Sequence, residues 1–122
     1  MDNLRYGQIV VVTGMVDPNG VNPKDRPAVV VTPSDELADG APLIVAAIST
    51  LKPGPVPDDH VPLPWHPQGH PRTGLKTNCA VVCRWLQVVE PPQVARIIGF
   101  VPGQRLEEVA ATLSRLASGG SA

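Results

Sequence analysis

Two histidines and two cysteines stand at spacings that resemble those of a zinc site. His66 and His70 are four residues apart, and so are Cys79 and Cys83 further along the chain. The two cysteines lie in an apolar run that predicts a β-strand, where residues four apart are separated by about 13 Å at ~3.3 Å per residue. Such a pair cannot converge on one metal ion, and a disulfide needs Cα atoms within about 7 Å of each other. We therefore expect no metal site and two reduced, partly buried thiols.

One further histidine and two tryptophans are suited to chemistry or to ligand binding. His60 stands in a Pro-rich loop, where an imidazole either acts as a general acid or base beside a cleft or is simply solvated. Trp65 either stacks on a base, as aromatic side chains do in single-strand RNA sites, or lies on a rim or at an interface. Trp85 lies within the longest apolar run, so we expect it to pack in the core or at a dimer interface.

The elements that must position these side chains are short strands joined by long loops. Apolar and β-branched runs predict strands at 8–13, 28–32, 42–48 and 79–89. A short strand around Val61 and Leu63 is confined to an edge, because Pro62 and Pro64 cannot donate to a ladder. Between Leu106 and residue 117 the apolar period becomes that of an amphipathic helix. The expected fold is mainly β, a small curled sheet or barrel with one C-terminal helix packed on it.

Composition limits the classes of protein to which the chain can belong. Its 122 residues suit one domain, expected over residues 1–118, with a flexible tail at 119–122. The 15 prolines and 11 glycines argue against a helical bundle, since proline breaks helices. Ten basic and eleven acidic residues give a net charge of −1, so no basic excess indicates nucleic-acid binding. No apolar run approaches the ~18 residues that cross a bilayer, and no signal peptide is recognisable, so we expect a cytoplasmic protein without membrane contact.

Several segments resemble the MazF/PemK growth-inhibitor toxins of type II toxin–antitoxin systems. The segments are Gly7–Val10, Asp25–Val31 (DRPAVVV), Val45–Thr50 (VAAIST), Val61–Leu63, the strand ending at Val89, Ile98–Gly99 and the closing helix. Each of these motifs is weak alone. Their order and spacing nevertheless match the family from Gly7 to Leu116.

The resemblance implies an SH3-like barrel of the MazF and CcdB type that works as a homodimer. It also implies an endoribonuclease that needs no metal or cofactor and cuts single-stranded RNA at short sequences, leaving a 2′,3′-cyclic phosphate. The family's catalytic positions fall on Arg26 and Ser49, with Thr50 as an alternative hydroxyl. A guanidinium donates two hydrogen bonds to a phosphate, and stabilising the developing negative charge is commonly the largest catalytic effect. Without the resemblance, Arg26 would be interpreted as a surface arginine paired with Asp17 or Asp25.

The substrate and a cognate antitoxin are expected to share one groove. In toxins of this kind, the antitoxin's acidic tail covers the RNA groove. The Pro- and Gly-rich segments at 14–25, 51–64 and 65–74 are expected to form stiff walls, because proline restricts the chain. The side chains expected to contact RNA are Lys24, His60, Trp65, Arg72 and Arg84.

The chain departs from the family pattern in two places. The strand that usually carries an Asp-Gln pair has Arg84-Trp85 instead, and the catalytic threonine position holds Ser49. Because the lost aspartate can serve catalysis or substrate binding, a second hypothesis stays open. It is a non-catalytic module that dimerises and binds RNA or a partner protein. A third is a structural domain that makes protein contacts only.

Overall fold

The computed structural model describes residues 4–38 and 40–119. Its strands are β1 (Gln8–Met15), β2 (Lys24–Val30), β3 (Leu43–Thr50), β4 (His60–Pro62), β5 (Cys79–Val89) and β6 (Val94–Phe100), and its helix is α1 (Gly103–Gly119). All the strands expected from the sequence are present, and β6 was not predicted. The helix extends to Gly119, the first residue of the expected tail, and residues 120–122 lie outside the described residues.

The strands form one sheet in the order β4-β5-β3-β2-β1-β6, with every neighbouring pair antiparallel. The expected mainly β fold with a C-terminal helix is confirmed. The sheet is not closed, because β4 and β6 are its two edges and do not pair with each other. The edge position predicted for the strand at Val61 is also confirmed.

The segment 63–75 packs between the two edges of the sheet. At one end the Leu63 amide donates to the Cys79 carbonyl (3.0 Å), and near the other the Phe100 amide of β6 donates to the Arg72 carbonyl (2.7 Å). A Cβ added at Gly99 would collide with the backbone of Arg72 and Thr73, so this position of β6 needs glycine. Glycine also weakens the strand signal of a sequence, which explains why β6 is hard to predict.

The sheet has an apolar core on each of its faces, since side chains alternate along a strand. One core lies under α1 and includes Ile9 and Val29, and the helix contributes Leu106, Val109, Leu113 and Leu116. The predicted helical stripe therefore faces the sheet. The other core includes Val10 and Val30, and Trp85 packs against it as expected. Within the described residues, no helix is long and apolar enough to cross a membrane.

Candidate active site

The register between β2 and β3 places Arg26 beside Ser49. The paired residues run from Val30 opposite Val45 to Ala28 opposite Ala47. Two residues further along each strand, on the same face of the sheet, come Arg26 and Ser49. Pro27 stands where this ladder stops, and it has no amide hydrogen to continue it. The two strands therefore part at this point, and a cleft of about 540 Å³ opens between them.

The cleft has a local excess of positive charge, although the protein as a whole has none. Its charged side chains are Lys24, Arg26 and Lys52, against the single carboxylate of Asp25. Its other polar residues are Ser49, Thr50 and Thr77. The local charge is thus positive although the net charge of the protein is −1. Such a cleft favours a polyanion over a neutral ligand.

The Arg26 guanidinium is held along one edge and over one face. Its Nε donates to the Met15 carbonyl and its Nη2 to the Asn22 carbonyl, both at 2.8 Å. The guanidinium carbon lies 5.0 Å from the centre of the Trp85 ring, within the range of a cation–π interaction. Among the described residues, no hydrogen bond occupies Nη1. The second edge of the guanidinium can therefore receive a phosphate without disturbing the first.

Asp17 orders the loop that supplies one of these carbonyls. Its Oδ1 accepts from the amides of Asn19 (2.9 Å) and Val21 (3.1 Å), and its Oδ2 accepts from Asn22 Nδ2 (2.8 Å). The hydrogen bond from Asn22 and that from the Val21 amide lower the pKa of Asp17. Asn22 adopts a φ of 57°, which turns the chain into β2. Asp17 thus acts on Arg26 through the loop, with only a weak direct electrostatic contribution.

A second cleft, of about 320 Å³, adjoins the first. The two share Ser49, Thr50 and Lys52, which form the divide between them. Beyond this divide the lining consists of His60, Leu51 and the prolines 53, 55 and 57. His60 Nδ1 lies 2.7 Å from Asp59 Oδ1, so the imidazole is fixed by a carboxylate.

The other predicted RNA contacts lie outside these two clefts. Arg84 is 63% exposed, its Nε is 3.4 Å from Asp59 Oδ2, and it lines a separate hollow with Val16. Trp65 is 42% exposed on segment 63–75. Arg72 is an exposed residue of the same segment. The structure thus brings Lys24 to the Arg26 cleft and His60 to the adjoining one.

Trp85 is the site residue that sequence reasoning missed. Its indole Nε1 donates to the Val16 carbonyl (3.1 Å), which fixes the ring beneath Arg26. One feature of the sequence indicates that Trp85 belongs to the site. Trp85 occupies one of the two positions at which the chain departs from the family's strand motif.

The surroundings of the two cysteines and of His70 indicate structural rather than catalytic roles. Cys79 and Cys83 are free and buried, as predicted. Burial raises the pKa of Cys79, and it raises that of Cys83 to about 11, so neither is a thiolate near neutral pH. His70 Nδ1 accepts from the amides of Arg72 (3.1 Å) and Thr73 (3.3 Å) and so shapes segment 63–75. No group of three or more potential metal ligands is found within the part of the chain that the structure describes.

Comparison with known families accounts for the fold. The profile of PemK-like, MazF-like toxins of type II toxin–antitoxin systems matches residues 5–117, more than nine-tenths of the chain. The chain belongs to this toxin family. No curated protein sequence matches this MazF-like toxin.

Solved structures similar to this MazF-like toxin support the same fold. MazF from Deinococcus radiodurans superimposes with a TM-score of 0.71 at 17% identity, covering 93% of this chain and 96% of the other. A chain of the MazE–MazF complex from that organism gives a TM-score of 0.68 at 18% identity, with coverages of 94% and 95%. A mycobacterial endoribonuclease in complex with its cognate antitoxin gives 0.66 at 14% identity, covering 97% and 96%. At these identities the likeness concerns the fold.

Proposed function

We propose that this MazF-like toxin is an endoribonuclease that cleaves single-stranded RNA without a metal ion. The observation that carries the proposal is the Arg26 guanidinium, fixed by two carbonyls and by Trp85, with one edge open beside Ser49. Membership of the family supports it, and one structural neighbour is a mycobacterial endoribonuclease. We place the activity in the cytoplasm, where its proposed substrate is translated.

The proposed reaction uses the substrate's own 2′-hydroxyl as the nucleophile. The O2′–P bond forms and the P–O5′ bond breaks, which leaves a 2′,3′-cyclic phosphate and a 5′-hydroxyl end. Arg26 binds the non-bridging oxygens, where negative charge develops in the transition state. Ser49 or Thr50 donates a hydrogen bond that holds the phosphate at the divide between the two clefts. Trp85 serves this reaction by fixing Arg26, so the replaced strand motif is compatible with catalysis.

The test is to map the 5′ ends of a long single-stranded RNA after incubation in buffer with EDTA. The wild-type protein should produce 5′-hydroxyl ends at a short recurring sequence. Arg26→Ala should lower the cleavage rate by about 100-fold or more, which is typical of losing one preorganised donor. Arg26→Lys should cleave RNA little faster than Arg26→Ala, because lysine keeps the positive charge but lacks the planar guanidinium that donates two parallel hydrogen bonds.

Arg105→Ala is the matched control for the loss of one positive charge. Arg105 lies on α1 and pairs with Glu108 at 2.9 Å, away from both clefts. This variant should cleave at the wild-type rate. Intact RNA after incubation with the wild-type protein, or equal rates for Arg26→Ala and the wild type, would refute the nuclease proposal.

A non-catalytic RNA-binding module is the second candidate function. The observation that favours it is that β5 contains no Asp or Glu and therefore supplies no carboxylate to the Arg26 cleft. A gel-shift assay separates the two functions. Under this alternative, the wild-type protein retards RNA and leaves it uncut, and Arg26→Ala weakens the retardation.

We also propose that an acidic segment of a cognate antitoxin covers the Arg26 cleft. The positive charge of Lys24, Arg26 and Lys52 supports this, and two structural neighbours are complexes with an antitoxin. The antitoxin encoded beside the gene should block RNA cleavage when added in equimolar amount. A double variant, Lys24→Glu with Lys52→Glu, should weaken its binding in calorimetry, whereas Arg105→Glu should not. Equal affinities for the two would place the antitoxin elsewhere.

We propose, finally, that the toxin forms a homodimer through exposed apolar side chains of β3 and β5. Ile44 and Val88 are directly opposite each other and are 41% and 64% exposed, and Leu86 two residues along is 48% exposed. Contiguous apolar side chains on a soluble surface commonly mark an interface. Analytical ultracentrifugation should show a dimer for the wild type and a monomer for Leu86→Lys with Val88→Lys. A dimer that survives both lysines would place the contact elsewhere.

A further inference from the structure

The side chains around His60 form a fixed pair at the edge of the second cleft. Asp59 Oδ1 lies 2.7 Å from His60 Nδ1, and Asp59 Oδ2 is 3.4 Å from Arg84 Nε. The carboxylate is thus engaged at both oxygens, with its side chain only 16% exposed. The backbone is fixed as well, because the Cys83 amide donates to the Asp59 carbonyl at 2.8 Å. This pair is more ordered than a solvated loop histidine.

The contact with Asp59 selects one tautomer of the neutral imidazole. Nδ1 carries the proton and donates it to the carboxylate, which leaves the Nε2 lone pair free to accept a proton. His60 is 22% exposed and lines the cleft that it shares with Ser49 and Thr50. A fixed imidazole with an unprotonated Nε2, in a residue that lines a solvent-accessible cleft, has the features of a general base.

The sheet register sets the distance between this base and the proposed phosphate position. Ser49 is opposite Ala80 of β5, and Ala80 is opposite Pro62 of β4, two residues from His60. Two strand spacings and two residues along a strand separate the backbones of Ser49 and His60 by about 12 Å. Both residues line the second cleft, so their side chains flank a space that suits one phosphodiester group.

We propose that His60 is the general base of RNA cleavage and that Asp59 is its positioning residue. The inference rests on the nuclease function proposed above. A phosphate at the Ser49–Thr50 divide is flanked by Arg26 on one side and by His60 on the other. In the reaction, His60 Nε2 takes the proton of the 2′-hydroxyl as the O2′–P bond forms. The P–O5′ bond breaks, O5′ takes a proton from water, and the imidazolium returns its proton to solvent.

The first test measures single-turnover cleavage of an RNA oligonucleotide that contains the mapped site. His60→Ala should lower the cleavage rate constant about 100-fold or more with little change in the enzyme concentration that gives half the maximal rate, as expected for the loss of a general base. His60→Gln keeps much of the side-chain volume and should lose as much activity. Circular dichroism checks that both variants are folded. His66→Ala is the matched control, since the His66 ring only accepts the Gln68 amide in an exposed turn.

The second test distinguishes proton transfer from a structural role. Added imidazole should restore part of the activity of His60→Ala, because the small base can enter the emptied position. The wild-type rate should fall on acidification, because a protonated Nε2 cannot accept the proton of the 2′-hydroxyl, and this fall should be absent in His60→Ala. The charged groups that face His60 are Asp58, Asp59 and Lys52 of the β3–β4 connection, Arg84 of β5 and Arg115 of α1.

Asp59→Asn tests the positioning role. The amide oxygen still accepts from Nδ1, but the negative charge that favours the imidazolium is lost. The cleavage rate constant should therefore fall by about 10-fold with little change in substrate binding, as for other residues that orient a functional imidazole.

The outcomes distinguish a failure of the His60 proposal from a failure of the nuclease proposal. If His60→Ala cleaves at the wild-type rate while Arg26→Ala does not, the role of His60 is overturned and the nuclease stands. If His60→Ala is slow but is neither rescued by imidazole nor altered in its pH profile, His60 is structural only. If the wild-type protein leaves RNA intact, both proposals fail.

Discussion

Replacing Trp85 tests whether this ring fixes the proposed catalytic arginine. In Trp85→Leu, Arg26 keeps its bonds to the carbonyls of Met15 and Asn22 but loses the aromatic face at 5.0 Å. A cation–π interaction contributes about 0.5 kcal/mol at an exposed site and about 2 kcal/mol when it is desolvated. If this energy is expressed in the transition state, kcat/KM falls by roughly 2- to 30-fold. We expect the upper part of this range, because the ring is half-buried between the cleft and the second core.

Trp85→Phe separates the ring from its hydrogen bond. Phenylalanine keeps an aromatic face but cannot donate to the Val16 carbonyl, as Nε1 does at 3.1 Å. Its kcat/KM should therefore lie between that of the wild type and that of Trp85→Leu, and all three values should exceed that of Arg26→Ala. The assay is cleavage of a fluorogenic oligonucleotide at concentrations well below KM, which gives kcat/KM directly. Thermal unfolding of each variant is measured in parallel.

Phe100→Leu is the control for the loss of an aromatic ring. Phe100 is 52% exposed on β6, outside both clefts. It should leave kcat/KM unchanged. Equal activity of Trp85→Leu and the wild type would show that the two carbonyls alone fix Arg26. Equal losses for Trp85→Phe and Trp85→Leu would assign the effect to the hydrogen bond rather than to the ring.

Three further predictions concern stability and reactivity. Folding lowers the pKa of Asp17, so the carboxylate stabilises the protein above the ordinary carboxyl range, and this stabilisation is lost as the pH falls through the lowered value. The free energy of unfolding, measured with urea between about pH 5 and about pH 2, should therefore decline less steeply with falling pH for Asp17→Ala than for the wild type. Gly99→Ala should lower the free energy of unfolding by about 2 kcal/mol or more through collision with backbone, whereas Gly103→Ala, with open space around it, should change it by less than about 0.5 kcal/mol. Cys83 should resist iodoacetamide in the folded protein near pH 8 and react quickly in urea, since burial raises its pKa to about 11; fast native alkylation would contradict its burial.

The strands and the helix were largely predictable because their signals are local. β5 has the bounds that its apolar run predicts, and the stripe of α1 contacts the sheet as its period requires. β6 was missed because its pattern includes Gly99, and that glycine is required by a neighbour far away in the sequence. Lys24 and Asp25 were assigned to a loop from their Pro-rich surroundings, whereas pairing of this segment with β1 extends β2 back to Lys24. In both cases a tertiary contact decides the local structure.

The site was predictable only where a motif marks it. Arg26 and Ser49 came from the resemblance, and the register then explains why they are neighbours. Neither the stacking of Trp85 on Arg26 nor the contact between Asp59 and His60 follows from spacing. The first joins residues 59 positions apart, and the second depends on which rotamers two adjacent side chains adopt.

Segment 63–75 is attached to β5 and β6 by two backbone hydrogen bonds, and this has a consequence for which of its residues can vary. The Phe100 amide bonds to the Arg72 carbonyl and the Leu63 amide to the Cys79 carbonyl, so these contacts do not depend on which exposed side chains the segment carries. Positions such as Trp65 can therefore change with little effect on the fold. The demands on sequence are concentrated at Gly74 and Gly99 and at the buried Leu63, Thr73 and Leu75. Evolution can thus vary the exposed side chains of this segment while the architecture stays constant.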